Sequence, residues 1–230
     1  MSGQVKPLRT IRSYVRREGR MTRAQQRALA QLWREYGIGD EPVVLDFAKI
    51  FGRGGPVEME IGFGDGEVLC DLAQRYADTN YLGIDVYRPG VGSLLLKLKR
   101  QQITNVRVIC ADAAAVVAQR IPMSSLDAAY LLFPDPWPKK RHHKRRLLQQ
   151  MFLDQLRERL RVGGRLRIAT DWQAYAEHIL QHAAQVPGLT RIIADDSSGP
   201  LAERRPRTRF ERRGQRLGHP VWEMLFQRTA

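Results

Sequence analysis

A chain of 230 residues, 43% of them apolar, can bury one sizeable core, and its two cysteines are too few for a disulfide scaffold. No apolar run approaches the ~20 residues that span a bilayer, and the N-terminus lacks an apolar leader, so the sequence predicts a cytoplasmic protein. A formal net charge of +14 points to a polyanionic partner.

Residues 1–40 read as a basic N-terminal extension with helical character, nine Lys/Arg against two Glu over 1–36, and residues 41–230 as the domain proper. Residues 57–61 alternate like a strand. A turn at Gly62, Gly64 and Gly66 follows, and 67–77 carry apolar residues at helical spacing. Strands are predicted at 81–86 and 106–111, with a helix at 91–100 between them. Helix 113–120, strand 126–132, helix 147–160, strand 165–170 and helix 172–185 come next, and strands at 189–194 and 221–227 finish the chain. Residues 195–220, rich in Gly, Pro, Ser and Arg, read as a long functional loop. Alternating strands and helices predict an α/β fold with a doubly wound, mostly parallel seven-stranded sheet and helices on both faces. Cys70 and Cys110 fall inside a predicted helix and strand without CxxC spacing, so they read as core thiols and no metal site is expected.

In such a sheet ligands sit outside the carboxyl ends of the strands. Glu60 to Gly66, Asp85, Asp112, Asp135 and Asp171 all fall at or just beyond predicted strand ends, so they can converge on one cleft. The turn Gly62-Phe-Gly64-Asp-Gly66 permits close backbone approach, and Asp85 suits the two hydroxyls of a ribose. The spacing is G-x-G-x-G, whereas dinucleotide-binding enzymes place their last glycine one residue later. Glu60 before the turn repels a pyrophosphate but attracts the ammonium of a methionine moiety, which favours S-adenosylmethionine as cofactor. Asp112 either accepts from an adenine amino group or caps the helix that follows.

The strand at 126–132 runs into Phe133-Pro-Asp135-Pro-Trp137-Pro-Lys139-Lys-Arg141-His-His-Lys144-Arg145-Arg146. Three prolines stiffen the backbone around Asp135. Lys139, Arg141, Lys144, Arg145 and Arg146 then supply cations for phosphates, with Trp137 as a packing anchor and His142 and His143 solvated. Three basic runs flank a mildly acidic centre, seven basic against ten acidic residues over 57–135. Asp171 either caps the next helix or touches substrate. Glu211 is either a local salt-bridge partner or a reader of guanine, whose N1 and N2 hydrogens a carboxylate can accept.

The acidic residue followed by G-x-G-x-G resembles the first motif of the Rossmann-like S-adenosylmethionine-dependent methyltransferases, over roughly residues 57–194. The stretch PDPWPKKRHHKRR closely resembles the diagnostic segment of the bacterial tRNA (guanine-N7)-methyltransferases. Arg12-Ser-Tyr14, Thr170-Asp171-Trp172 and Thr208-Arg209-Phe210-Glu211 resemble further motifs of that family. Asp85 stands where many members carry Glu, which keeps the carboxylate. The resemblance implies a Rossmann-like sheet, with Glu60, Asp85, Asp112 and Asp135 holding the cofactor. It implies tRNA contacts from Lys139, Asp171, Thr208, Arg209, Phe210 and Glu211, and methyl transfer to N7 of guanine 46 in the variable loop. The partner it implies is tRNA, with no membrane and no obligatory protein partner. Asp135, fixed beside the cations, is the expected catalytic residue. The competing readings are another S-adenosylmethionine-dependent RNA methyltransferase, an amino-methyltransferase, which favours Asn/Asp-Pro-Pro-aromatic after the fourth strand, a dehydrogenase, and a non-catalytic RNA-binding protein that keeps the fold.

Overall fold

Strand β1 (Val57–Ile61) is buried at every position, glutamates included, because helices cover the sheet on both sides. Its alternating residues serve two different cores. Val57, Met59 and Ile61 point into one apolar cluster, while Glu58 turns the other way and accepts a hydrogen bond from the Tyr130 hydroxyl at 2.9 Å. The computed structural model describes residues 13–14, 19–192, 208, 211–212 and 220–230.

Seven strands form one sheet: β1, β2 (Asn80–Ile84), β3 (Val106–Ile109), β4 (Leu126–Leu132), β5 (Leu160–Thr170), β6 (Leu189–Ile192) and β7 (Trp222–Arg228). Their spatial order is β3-β2-β1-β4-β5-β7-β6, with β1 to β5 parallel and β7 antiparallel to both its neighbours. Helices α1 (Arg23–Tyr36), α3 (Glu67–Arg75) and α4 (Arg88–Arg100) pack on one face. Helices α2 (Phe47–Phe51), α5 (Ala113–Gln119), α6 (Gln150–Arg159) and α7 (Gln173–Ala183) pack on the other. The doubly wound, seven-stranded sheet expected from the sequence is therefore the fold. Both cysteines are free thiols, Cys70 buried and Cys110 half-buried. No helix among the described residues is long and apolar enough to cross a membrane.

Several boundaries differ from the sequence expectation, since α4 begins at Arg88 rather than 91, β5 at Leu160 rather than 165, and α2 was not expected; two differences bear on the site. Residues 1–40 were expected to form an appended extension, but α1 is seated on the domain. Thr22 and Gln25 form a reciprocal capping box at its start, and the Gln25 side-chain amide donates to Ser93 Oγ of α4 at 2.9 Å. Ala28 and Tyr36 are buried, and Gly37 bridges to Val108, adding a strand-like contact at the β3 edge. The charge of α1 sits on its outer face, and the narrow apolar stripe beneath it is easily overlooked in a basic run. The second difference is α6, which begins at Gln150 rather than 147: Lys140–Arg145 forms a 3-10 turn, and Leu148 is fully buried ahead of the helix.

On α7 the His178 ring lies 4.2 Å from His182 and 5.8 Å from Tyr175, and its Nε2 is buried with no hydrogen-bond partner. Burial, with His182 and Arg146 as like charges nearby, lowers its pKa to about 4. Unfolding releases the ring to its ordinary value of 6.5, so between these values the unfolded chain binds more protons than the folded one. Stability is then full above pH 6.5 and falls as pH drops toward about 4. Urea midpoints measured across this window should decline with acid, and His178→Phe should flatten the decline.

Candidate active site

The register of the parallel strands brings the expected acids to one edge. Ile61 pairs with both Ile84 and Leu131, Ile84 with Ile109, and Leu132 with Ala169, so the five loops that follow leave the sheet side by side. From β3 to β5 is four strand spacings, a row of about 19 Å.

At the centre is the glycine turn. Gly62, Gly64 and Gly66 have φ values of +75°, +59° and +75°, which side-chain-bearing residues adopt only with strain. Their surroundings differ. A Cβ on Gly66 would lie 2.5 Å from Leu94 Cδ1, whereas Cβ atoms on Gly62 or Gly64 would meet nothing within 4 Å. Gly66 therefore serves close packing against α4, and the first two glycines leave an open face in front of bare backbone. Gly90 of α4 packs directly against the Gly64 carbonyl.

Asp85 fastens this turn. One of its oxygens accepts from Gly64 N and the other from Tyr87 N, both at 2.9 Å. Burial raises its pKa, and the backbone donors of Tyr87, Gly64 and Val86 oppose that rise. Each oxygen keeps a second lone pair for a ligand hydroxyl. Glu60 lies directly beneath the turn and is only 3% exposed. Asp112 ends the β3 loop and caps α5, accepting from Ala114 N at 3.0 Å, so the capping role weighed from sequence is realised.

Beyond β4 the chain bends sharply. Phe133 and Trp137 carry positive φ values of +56° and +46°, and Phe133 N donates to Ala169 O at 2.7 Å. This bend leaves the Asp135 carboxylate exposed at the mouth of the row. The Trp137 indole is the anchor expected: its N–H donates to Ser13 O at 3.1 Å, Arg145 lies over its ring at 4.8 Å, and His142 meets its edge. Lys139, Arg141 and Lys144 are exposed. Arg146 is a correction. Expected among the RNA-binding cations, it is only 3% exposed and donates to Pro136 O at 2.9 Å. Its place at the end of a 3-10 turn points it inward, since side chains three residues apart in such a turn share one side.

Asp171 is exposed after β5, and α7 is capped at Trp172 without a side-chain bond, so Asp171 does not act as the cap weighed from sequence. Thr208 and Glu211 are buried, with Glu211 N donating to Thr208 Oγ1 at 3.0 Å. Arg212 pairs with Glu67 at 2.6 Å, which ties this motif to the first residue of α3, next to the glycine turn. Arg209 and Phe210 lie outside the described residues. Sequence reasoning passed over two supports. Arg212 is hidden in an arginine-rich run, and Lys97, whose ammonium donates to Asp65 O at 2.8 Å, reads from sequence as a charge at a helix end.

A seven-stranded sheet in this order, with a glycine turn after its central strand and acids at the neighbouring strand ends, defines a Rossmann-like methyltransferase. Solved structures share the fold: a 16S rRNA methyltransferase, KamB, matches with a TM-score of 0.56 at 15% identity, covering 81% of this chain and 95% of that one. The antibiotic-resistance methyltransferase Kmr matches with a TM-score of 0.54 at 16% identity, covering 81% and 94%. A family model described as "Putative methyltransferase" matches residues 54–224. Proteins named tRNA (guanine-N(7)-)-methyltransferase are far more similar. That of Vibrio cholerae serotype O1 (strain M66-2) is 47% identical over 226 residues, 98% of this chain and 95% of that protein. That of Stutzerimonas stutzeri (strain A1501) is 47% identical over 225 residues, 98% and 94%. The chain belongs to the tRNA (guanine-N(7)-)-methyltransferase family.

The two kinds of glycine are separable by mutation. Gly66→Ala meets both backbone strain and Leu94, and should cost roughly 2–4 kcal/mol. Gly62→Ala meets strain alone and should cost about 1–2 kcal/mol. Urea denaturation of the two variants checks the order.

Proposed function

We propose that the cleft at the strand ends binds S-adenosylmethionine and that the enzyme transfers its methyl group to N7 of guanine 46 in the variable loop of tRNA. One observation carries this reading: the loop that presents Asp135 beside the glycine turn continues directly into the exposed cations Lys139, Arg141 and Lys144. A small-molecule cleft and a phosphate-binding surface therefore share one rim. The curated relatives' names supply the base and the atom.

The residues fit the cofactor. Open backbone at Gly62 and Gly64 admits its close approach, Asp85 is placed for ribose hydroxyls, and buried Glu60 supplies negative charge for the ammonium. Asp112 has one oxygen engaged in its cap and keeps further lone pairs for an adenine amino group. When bound, the cofactor supplies an electrophilic methyl on a sulfonium.

Guanine N7 carries an unprotonated lone pair at neutral pH, so no general base is needed. What remains for the protein is alignment and charge. Asp135, held between two prolines, faces the purine as positive charge moves onto it, and a fixed anion there stabilises the transition state more than the ground state. Asp171, Thr208 and Glu211 border the same row and contact the nucleotide, with Glu211 accepting from the guanine edge. Exposed cations hold phosphates and set register without reading sequence. A cytoplasmic location, where tRNA is modified, is part of this reading.

Incubation with unfractionated tRNA and methyl-labelled cofactor should yield 7-methylguanosine, and replacing guanine 46 in a single tRNA should abolish it. Label in another nucleoside, or none, would overturn the reading. Asp135→Asn keeps shape and removes charge. Its single-turnover rate, with both ligands saturating, should fall roughly 10²-fold while tRNA affinity stays unchanged.

Asp85 sets a pH dependence. Its ionised form is the better acceptor for ribose hydroxyls, and burial raises its pKa in the folded protein. Cofactor affinity should therefore weaken as pH falls, starting above the range in which an ordinary aspartate protonates. Calorimetric titration at stepped pH should show this, and Asp85→Asn should bind weakly with a flat profile.

A further inference from the structure

Arg146 is the last cation of the basic run and the one that turns away from solvent. Its Nε donates to Pro136 O at 2.9 Å, the first carbonyl after Asp135 in the chain. Nη1 reaches Ala174 O at 3.4 Å, in the first turn of α7 and three residues beyond Asp171. Nη2 faces His143 Nε2 at 3.2 Å, and because a guanidinium only donates, that ring nitrogen is the acceptor. The guanidinium plane lies over the ring of fully buried Tyr175 at 4.9 Å. One side chain thus joins the loop after β4 to the first turn of α7, the helix that follows the Asp171 loop.

Its surroundings are unusual for a structural arginine. Among the described residues no carboxylate pairs with it, and burial lowers its pKa. An unpaired buried charge is costly, and an apolar side chain of similar volume would fill the space at less expense. An apolar residue could not, however, hold two carbonyls and stack on a ring at once. That task needs the planar fork of arginine, and lysine, with a single ammonium, cannot reproduce it.

We propose that Arg146 is a positioning residue for methyl transfer, which fixes Asp135 relative to the Asp171 loop from behind and makes no contact with RNA. The proposal rests on the reading of Asp135 given above. It places the basic run in two roles: Lys139, Arg141 and Lys144 face the phosphates, and Arg146 sets the geometry of the carboxylate they surround.

The test compares Arg146→Lys and Arg146→Met, the second filling the space without charge, each in the wild-type and Asp135→Asn backgrounds. Four quantities are read: cofactor Kd, tRNA Kd as a function of salt, the single-turnover rate with both ligands saturating, and the thermal midpoint. Each rate is taken well below that variant's own midpoint, so that loss of fold does not pass for loss of rate. With Asp135 intact, both substitutions should lower the single-turnover rate roughly tenfold or more, by misplacing the carboxylate. Affinity for tRNA and its salt slope should stay within about twofold of wild type. In the Asp135→Asn background the same substitutions should lower the rate little further, because an effect exerted through Asp135 vanishes with it.

Two results would overturn the proposal. A salt slope reduced by about one with the rate intact makes Arg146 a phosphate contact. Rate losses that multiply with that of Asp135→Asn make its effect independent of the carboxylate. If Asp135→Asn alone turns over at the wild-type rate, the reading of Asp135 fails first, and that outcome is visible before any Arg146 variant is made.

Discussion

The parallel register of β1 to β5 is the constraint on which the rest of the molecule depends. Five strands ending in step place five loops in one row, and these loops carry the glycine turn, Asp85, Asp112, Asp135 and Asp171. A slip of one residue in any pair would turn the strand's inward side chains outward and displace its loop by about 3.3 Å. Burial of β1, β2 and β4 on both faces penalises that slip: β2 and β4 contribute to an apolar cluster on either side, and β1 sets Val57, Met59 and Ile61 in one cluster with buried Glu58 and Glu60 on its other face. The energy that stabilises the core and the precision of the cleft therefore have one source.

Charge is partitioned along the same row. Glu60 and Asp85 are held inside, where low polarity magnifies the field of a carboxylate. Lys139, Lys140, Arg141 and Lys144 lie outside, where solvent and salt screen their charge, and Arg145 is half-buried over the Trp137 ring. Asp135 stands at the boundary, exposed yet carried on a bend with two positive φ angles flanking it. Phe133 N to Ala169 O, Trp137 to Ser13 O and Arg146 to Pro136 O secure that bend from three directions. A loop this thoroughly tied can keep a carboxylate in place without burying it.

The doubly wound, mostly parallel sheet and the place of the acids at strand ends were legible in the sequence, because strand-turn-helix alternation and residues at strand ends are local signals, whereas the strand order was not. The G-x-G-x-G turn carried its own chemistry. Other features depend on partners distant in sequence. The docking of α1 depends on Gly92 and Ser93 in α4, some seventy residues later, and its basic composition concealed the stripe that docks. The inward turn of Arg146 could not be read from a run of like charges, since the run says nothing of which cation the 3-10 geometry directs to the interior. Asp112 and Asp171 were equally ambiguous as caps, and the backbone decided oppositely for them: the first caps α5, the second leaves α7 to Trp172.

The contact between Gly37 and the β3 edge bears on how the protein survives at high concentration. β3 is the outermost strand on its side of the sheet, and an exposed outer strand offers its peptide groups to any other chain. Ile38 N donates to Val108 O at 2.9 Å, so the segment that leaves α1 occupies part of that edge with the chain's own backbone. The segment after the helix thereby shortens the open part of that edge. Because this segment precedes β3 in the chain, its cover is already present when the edge is made, and the edge opens only where the segment after α1 lifts from β3.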